Sequence, residues 1–254
     1  MPVIAVFNQK GGVGKTTTAL NLGAALAARN RRPILVDLDP QSSLSLSMGL
    51  RTVAPSESVY AFFRDRARLS SLARSQPSGV RLVPSSLELS KVDALHGSDA
   101  AVSRQLEEGI QADPALAGSL ILIDCCPMLG VLTLNALIAA DRVLMPVSAD
   151  YLSLEGVHKL DAALGVLEER LGKHFVRRVV TTRFDARRRL SYEVQHQLHA
   201  RFGDTLCQTV ISETVSLAES PMRGKDIFAH APHSQGAKDY RALTEELEAG
   251  KFFR

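Results

Sequence analysis

Two lysines, two threonines and three glycines stand together in Asn8-Gln9-Lys10-Gly11-Gly12-Val13-Gly14-Lys15-Thr16-Thr17. Glycines at this density let successive backbone N–H groups turn inward on an anion, and a helix starting just after them adds the partial positive charge of its N-terminus. In a Gly-Lys-Thr loop of this kind the lysine reaches the β- and γ-phosphates of a nucleotide and the threonine hydroxyl ligates Mg²⁺, which assigns those parts to Lys15 and Thr16. Gly11, Gly12, Val13, Gly14 and Thr17 complete the phosphate-binding set. The loop departs from the ordinary pattern, because Gln9 stands five positions before Gly14, where glycine is usual, and a second lysine, Lys10, opens the glycine run. Three carboxylates carry the complementary chemistry. Asp37 and Asp39 lie in Asp37-Leu38-Asp39-Pro40-Gln41, and Asp124 closes the apolar run Leu120-Ile121-Leu122-Ile123. An aspartate at the end of a buried strand beside a phosphate loop holds a water of the Mg²⁺ shell.

The elements that must position these groups are legible in the pattern. Val3 to Phe7 is an apolar, β-rich run that predicts a buried strand, and Thr18 to Ala28 an Ala/Leu-rich helix. Strand, glycine loop, then helix is the context a phosphate loop requires. Arg32 to Val36 predicts a second strand, placing Asp37 and Asp39 where open α/β sheets bind ligands. Further strands are expected at Val80–Pro84, Leu120–Asp124, Asp141–Val147, Arg178–Thr182 and Leu206–Ile211. Thr182, at the end of its strand, joins the nucleotide-binding set. Helices are expected over Val59–Leu72, Val92–Ile110, from Tyr151 to about Leu171, to about Phe202, and over Gly236–Glu248, with Ser212–Asp226 a loop. Alternating strands and helices imply an α/β fold: one doubly wound, mostly parallel sheet flanked by helices, forming a single domain over residues 1–254. The stretch from Ser42 to Gly118 says least, and its arginines Arg64, Arg66 and Arg68 receive no role.

The chain's 45% hydrophobic and 22% charged residues suit a globular protein with a sizeable core. No run approaches the ~18–20 apolar residues that span a bilayer, and the chain enters a strand at once, so a cytoplasmic protein without a signal peptide is expected. Cys125, Cys126 and Cys207 show no metal-ligand spacing and read as buried small hydrophobes. A net charge of +3 means that any nucleic-acid binding must come from local clustering. Such clustering occurs in the second half, at Arg177, Arg178, Arg187, Arg188, Arg189, Arg201, Arg223, Lys225, Lys238 and Arg241.

Lys-Gly-Gly-Val-Gly-Lys-Thr-Thr resembles the deviant Walker A loop of the ParA/MinD family of ATPases, and the Asn8-Gln9 ahead of it resembles ParA-type partition proteins. The resemblance runs from Pro2 to about Leu247 and is weakest between Met48 and Gly118. It implies a P-loop NTPase fold, ATP and Mg²⁺ as cofactors, and slow basal ATP hydrolysis. It gives Lys10 a role across a nucleotide-sandwich homodimer, touching the other subunit's ATP. It gives Asp39 the placing of the attacking water, and Asp37 support of the Mg²⁺ waters or the loop. It further implies nonspecific duplex DNA binding, with Arg187, Arg188, Arg223, Lys225, Lys238 and Arg241 as candidates, and nucleoid association in the ATP state. Its partner would be a ParB-like or cargo-adaptor protein with a basic N-terminal segment that stimulates hydrolysis. Three departures stand out: Cys126 and Met128 replace a proline and a serine after Asp124, and Ser216 stands where arginine is common. Two alternatives share the loop. A MinD-like membrane ATPase would need an amphipathic tail, for which Phe252-Phe253 beside Lys251 and Arg254 is short, so no stable membrane insertion is expected. An electron-transfer relative of the nitrogenase iron protein would need separated cluster-bridging thiolates, which adjacent Cys125 and Cys126 do not supply.

Overall fold

The computed structural model describes residues 2–96 and 100–254. The continuous β-branched and aliphatic runs at Val3–Val6, Ile34–Leu38 and Ile121–Cys125 suit strands covered on both faces, and all three are fully buried. The strands are β1 (Val3–Val6), β2 (Ile34–Leu38), β3 (Arg74–Ser75), β4 (Arg81–Val83), β5 (Ile121–Cys125), β6 (Arg142–Ser148), β7 (Val176–Phe184) and β8 (Leu206–Ser212). One sheet results, in the order β3-β4-β2-β5-β1-β6-β7-β8. The short β3 runs antiparallel to β4, and the other pairings are parallel. The central strands are therefore β2, β5 and β1, the three that end in the loop and the acids.

Alternate side chains of each strand feed two cores. Ile4, Leu35, Leu122 and Leu144 face a layer built by α1 (Lys15–Ala28), α2 (Ser43–Ser47) and the C-terminal helix, with Leu20, Leu26, Leu44, Tyr240, Leu243 and Leu247 buried in it. Ala5, Val36, Ile123 and Val143 face the opposite layer. That layer contains α3 (Val59–Asp65), α4 (Gln105–Ala112), α5 (Val131–Ala139), α6 (Tyr151–Leu171) and α7 (Arg189–Phe202). The C-terminal helix is α8 (Gln235–Ala249).

Three expectations need correction. The helix read across Val59–Leu72 ends at Asp65, because Arg66 adopts a left-handed conformation (φ 57°) and closes α3, and a separate turn covers Leu69–Leu72. The stretch Val92–Ile110 is divided among Ser90–His96, Ala100–Ser103 and α4, and residues 97–99 lie outside the described residues. The segment 212–226 is not a plain loop: Thr214 caps a helix at Val215–Glu219, and Pro221 sits in a 3₁₀ turn at Ser220–Arg223. Phe252 and Phe253 are buried in the α1/α8 layer, 1% and 3% exposed, so they are core residues rather than a membrane-touching tip. Among the described residues no helix is long and apolar enough to cross a membrane.

Candidate functional site

The glycine loop leaves β1 after Val6 and is tied to two neighbouring strands. Asn8, fully buried, donates from Nδ2 to the Pro146 carbonyl (2.8 Å) on β6 and accepts from the Lys10 amide (3.0 Å). Thr182, on β7, donates its hydroxyl to the Val13 carbonyl at 2.8 Å. Gly12 and Gly14 take φ of 75° and 85°, left-handed values that a side chain would strain, and Gly14 leads directly into α1. This brings Gly11, Gly12, Val13, Gly14, Lys15, Thr16 and Thr17 into one turn at the amino end of a 14-residue helix, where backbone amides favour an anion. The loop also borders a cavity of about 320 Å³ lined by Gly14, Thr182, Arg183, Glu213, Leu217 and Tyr240, among others. Arg183 donates from Nη2 to Glu213 Oε1 at 2.7 Å across its mouth.

Lys15 is buried, and its Nζ donates to the Lys10 carbonyl at 3.1 Å. Burial lowers its pKa, and the nearby Asp124, Cys125 and Asp39 oppose that shift. The acids meet it through strand register: Asp124 lies beside Val6 on one side and Asp37 on the other. Asp37 is fully buried and accepts from the Ser45 amide (2.8 Å), the Ser45 hydroxyl (2.7 Å) and the Asp39 amide (3.3 Å). Burial still pushes its carboxyl up, to about 6, despite these hydrogen bonds. Asp124 is pushed well above the usual carboxylate range by burial and then by Asp37, with Thr16 and Lys15 pulling the other way. Both Asp124 oxygens are buried without a hydrogen-bond partner among the described residues. Asp39 is half-buried and accepts from the Gln41 amide at 2.9 Å. Two buried carboxylates, one of them unpartnered, beside a hydroxyl and a buried lysine form a hard-oxygen donor set that fits a magnesium–phosphate group.

Lys10 does not turn into this cluster. Its Nζ donates to Asp150 Oδ1 (2.6 Å) and Ser153 Oγ (2.9 Å) at the start of α6. Asp150 also caps α6 by accepting the Ser153 amide at 2.9 Å. Burial acts to raise its pKa, but the bonds from Lys10 and Ser153 outweigh it and hold Asp150 at about 2. Asn8, Ser45, Asp150 and Ser153 were not foreseen from sequence. Asp150 alone left a signal there, as an aspartate three residues before a serine at a helix start.

The basic residues divide. Arg187 and Arg188 both pair with Asp185, at 2.9 and 3.2 Å. Arg177 is bound to Asp161 and Glu168 in a largely buried pairing and leaves the cluster. Arg223 and Lys225 are exposed at the turn that follows the helix Val215–Glu219, and Lys238 is exposed on α8. Arg241 donates to the Pro232 carbonyl (3.0 Å) and lies over the Phe228 ring. Cys125 and Cys126 are buried, and burial pushes both thiols up.

A family model described as an AAA domain matches residues 1–176. The chain is 41% identical to the chromosome-partitioning ATPase Soj of Thermus thermophilus over 249 residues, covering 97% of this chain and 95% of that protein. It is 36% identical to the chromosome partitioning protein ParA of Caulobacter vibrioides over 251 residues, covering 96% and 93%. Among solved structures, the cobyrinic acid a,c-diamide synthase of Mycobacterium smegmatis with bound ADP and magnesium superposes with a TM-score of 0.82. That pair shares 29% identity, over 99% of this chain and 96% of that one.

Proposed function

The chain belongs to the ParA/MinD family of ATPases, and on that premise we propose that it is a Mg²⁺-dependent ATPase of the partition type. In this reading residues 1–254 act as one unit that forms a sandwich homodimer with ATP and binds duplex DNA without sequence preference. It positions a plasmid, chromosome or protein assembly, cytoplasmic and nucleoid-associated while ATP-bound. A ParB-like or cargo-adaptor protein with a basic N-terminal segment stimulates its hydrolysis.

The observation that carries the reading is the unpartnered Asp124 carboxylate, buried beside Lys15 and Asp37 at the foot of the glycine loop. The relative solved with ADP and magnesium supports the same ligand. Thr16 and Asp124, with Asp37 behind them, would hold Mg²⁺, which when bound neutralises charge on the phosphates. Lys15 and the loop amides would stabilise the charge that develops as the terminal phosphoryl group leaves. Asp39, less buried than Asp37 and accepting from the Gln41 amide, would orient the attacking water. No strong general base stands beside it among the described residues, in keeping with slow basal turnover. Lys10, the extra lysine of the deviant loop, would leave Asp150 and Ser153 to reach the other subunit's nucleotide. Burial of Phe252 and Phe253 in the core gives the membrane alternative no support from the chain's end.

Calorimetric titration with ATP and Mg²⁺ tests the reading. Wild type should bind one nucleotide per chain and Lys15→Ala should not. Equal affinity in the two proteins would remove the loop from the mechanism.

A further inference from the structure

At the opposite end of the sheet lies a second concave site, of about 500 Å³. It opens at the amino ends of β2, β4 and β5, about 16 Å along β2 from Asp37 by strand rise. Arg31, Arg32 and Arg81 line it, and no acidic residue does among the described residues. Their neutralisation is incomplete. Arg31 donates to Glu248 at 3.1 Å, whereas Arg81 reaches only the neutral Ser119 hydroxyl at 3.3 Å. Arg32 has no ion pair or hydrogen bond to its side chain among the described residues, and its side chain is exposed. Two guanidinium groups, those of Arg32 and Arg81, thus line one cavity without an ion-pair partner among the described residues. The facing wall is built from Ala115, Ala117 and Gly118, and a Cβ added at Gly118 would meet nothing within 4 Å, so the space between the arginines and the wall is open. Phe253 lines one side of the cavity.

We propose that this cavity is a phosphate-recognition site, distinct from the nucleotide site, in which Arg32 and Arg81 bind a phosphate group. Guanidinium forks match phosphate oxygens in pairs, and two of them lining one concavity can meet a single phosphate group together. The phosphate belongs either to a nucleic-acid backbone or to a free small phosphate compound, and the experiment separates these sources.

Inorganic phosphate, and separately a short DNA duplex at low salt, are titrated into the nucleotide-free, full-length protein while amide NMR shifts are followed. Gly118 and Ser119 report this site, and Gly12 and Gly14 report the glycine loop, so failure here is read independently of failure there. Saturable shifts at Gly118 and Ser119 are expected with at least one probe. Their midpoint should weaken at least about tenfold in Arg32→Gln/Arg81→Gln, through loss of charge-assisted bonds. Ser119→Asp, which keeps both arginines but sets a carboxylate beside Arg81, should cause the same loss with the fold intact. Saturation by the duplex identifies the backbone phosphate as the ligand, and saturation by inorganic phosphate alone identifies a small phosphate compound. Absence of saturable shifts with both probes, or an unchanged midpoint in both variants, overturns the proposal.

Discussion

Asp124 combines the two features that make a single side chain expensive to fold: full burial and no partner for either oxygen among the described residues. Such a group persists where a ligand supplies the missing charge. Asp124→Asn should therefore stabilise the nucleotide-free protein while abolishing Mg²⁺-dependent phosphate release. A gain of about 1 kcal/mol would raise Tm by roughly 2–4 °C in a chain of this size. A lower Tm in Asp124→Asn would mean that the carboxylate is satisfied in the free protein. Asp37 predicts the pH dependence. Its folded pKa, about 6, lies above the ordinary aspartate value of 3.8, so between these values the native state holds a proton that the unfolded chain has released. Native protein then binds more protons than unfolded protein, and stability falls as pH rises through that window. Urea midpoints of the nucleotide-free protein should drop from pH 4.5 to pH 6.5, and Asp37→Asn should flatten the slope. Lys15, Thr16 and all three aspartates were legible in the sequence, because loop spacing and strand ends are local patterns. Asp150 as the partner of Lys10 was not, since 140 residues separate them and only the β1–β6 pairing brings them together.

Elements were readable where burial on both faces leaves a continuous apolar run, as in β1, β2 and β5, and unreadable where a backbone reversal interrupts a helical pattern. Arg66 ends α3 in a left-handed conformation that its neighbours do not announce. The segment after β8 hid a capped helix because Ser, Thr, Glu and Pro serve loops and caps alike. That segment matters mechanically. Gly224 follows its 3₁₀ turn with φ 63°, and a Cβ there would stand 2.9 Å from the Gly49 Cα, just after α2, the helix whose Ser45 holds Asp37. Gly224→Ala must both strain φ and push backbone against backbone. A loss of roughly 2–4 kcal/mol is expected, read as a lower urea midpoint at unchanged slope. An unchanged midpoint would show that the two turns yield independently. The start of α6 is likewise shared. Asp150→Ala removes a cap worth about 1 kcal/mol and at the same time releases Lys10.

For the whole molecule, the proposed cycle requires that nucleotide state change what the surface can hold. Lys10, engaged within its own chain by Asp150, cannot serve a second subunit until it lets go. Lys10→Ala should accordingly bind ATP but fail to dimerise in light scattering with ATP and Mg²⁺, whereas Asp39→Ala should dimerise and hydrolyse poorly. Dimerisation would then repeat each basic residue about a two-fold axis, so that one body grips a duplex at two places. The residues differ in what they can contribute. Arg187 and Arg188 already face Asp185, whose carboxyl the Arg187 hydrogen bonds hold at about 2 with the Arg188 charge beside it, so releasing them to phosphate gives up an existing partner. Arg223, Lys225 and Lys238 are exposed without an ion pair among the described residues and can meet phosphate at no such cost. Retention on unrelated duplexes should therefore appear with ATP and not with ADP, and fall steeply with salt. Each phosphate neutralised adds about 0.9 to the log–log slope, so Arg223→Ala or Lys225→Ala, counted twice in a dimer, should lower its magnitude by about 2. Arg187→Ala should lower it by less, because the wild-type charge is already spent on Asp185. Equal retention in both nucleotide states, or slopes that Arg223→Ala and Lys225→Ala leave unchanged, would sink DNA tethering through this face.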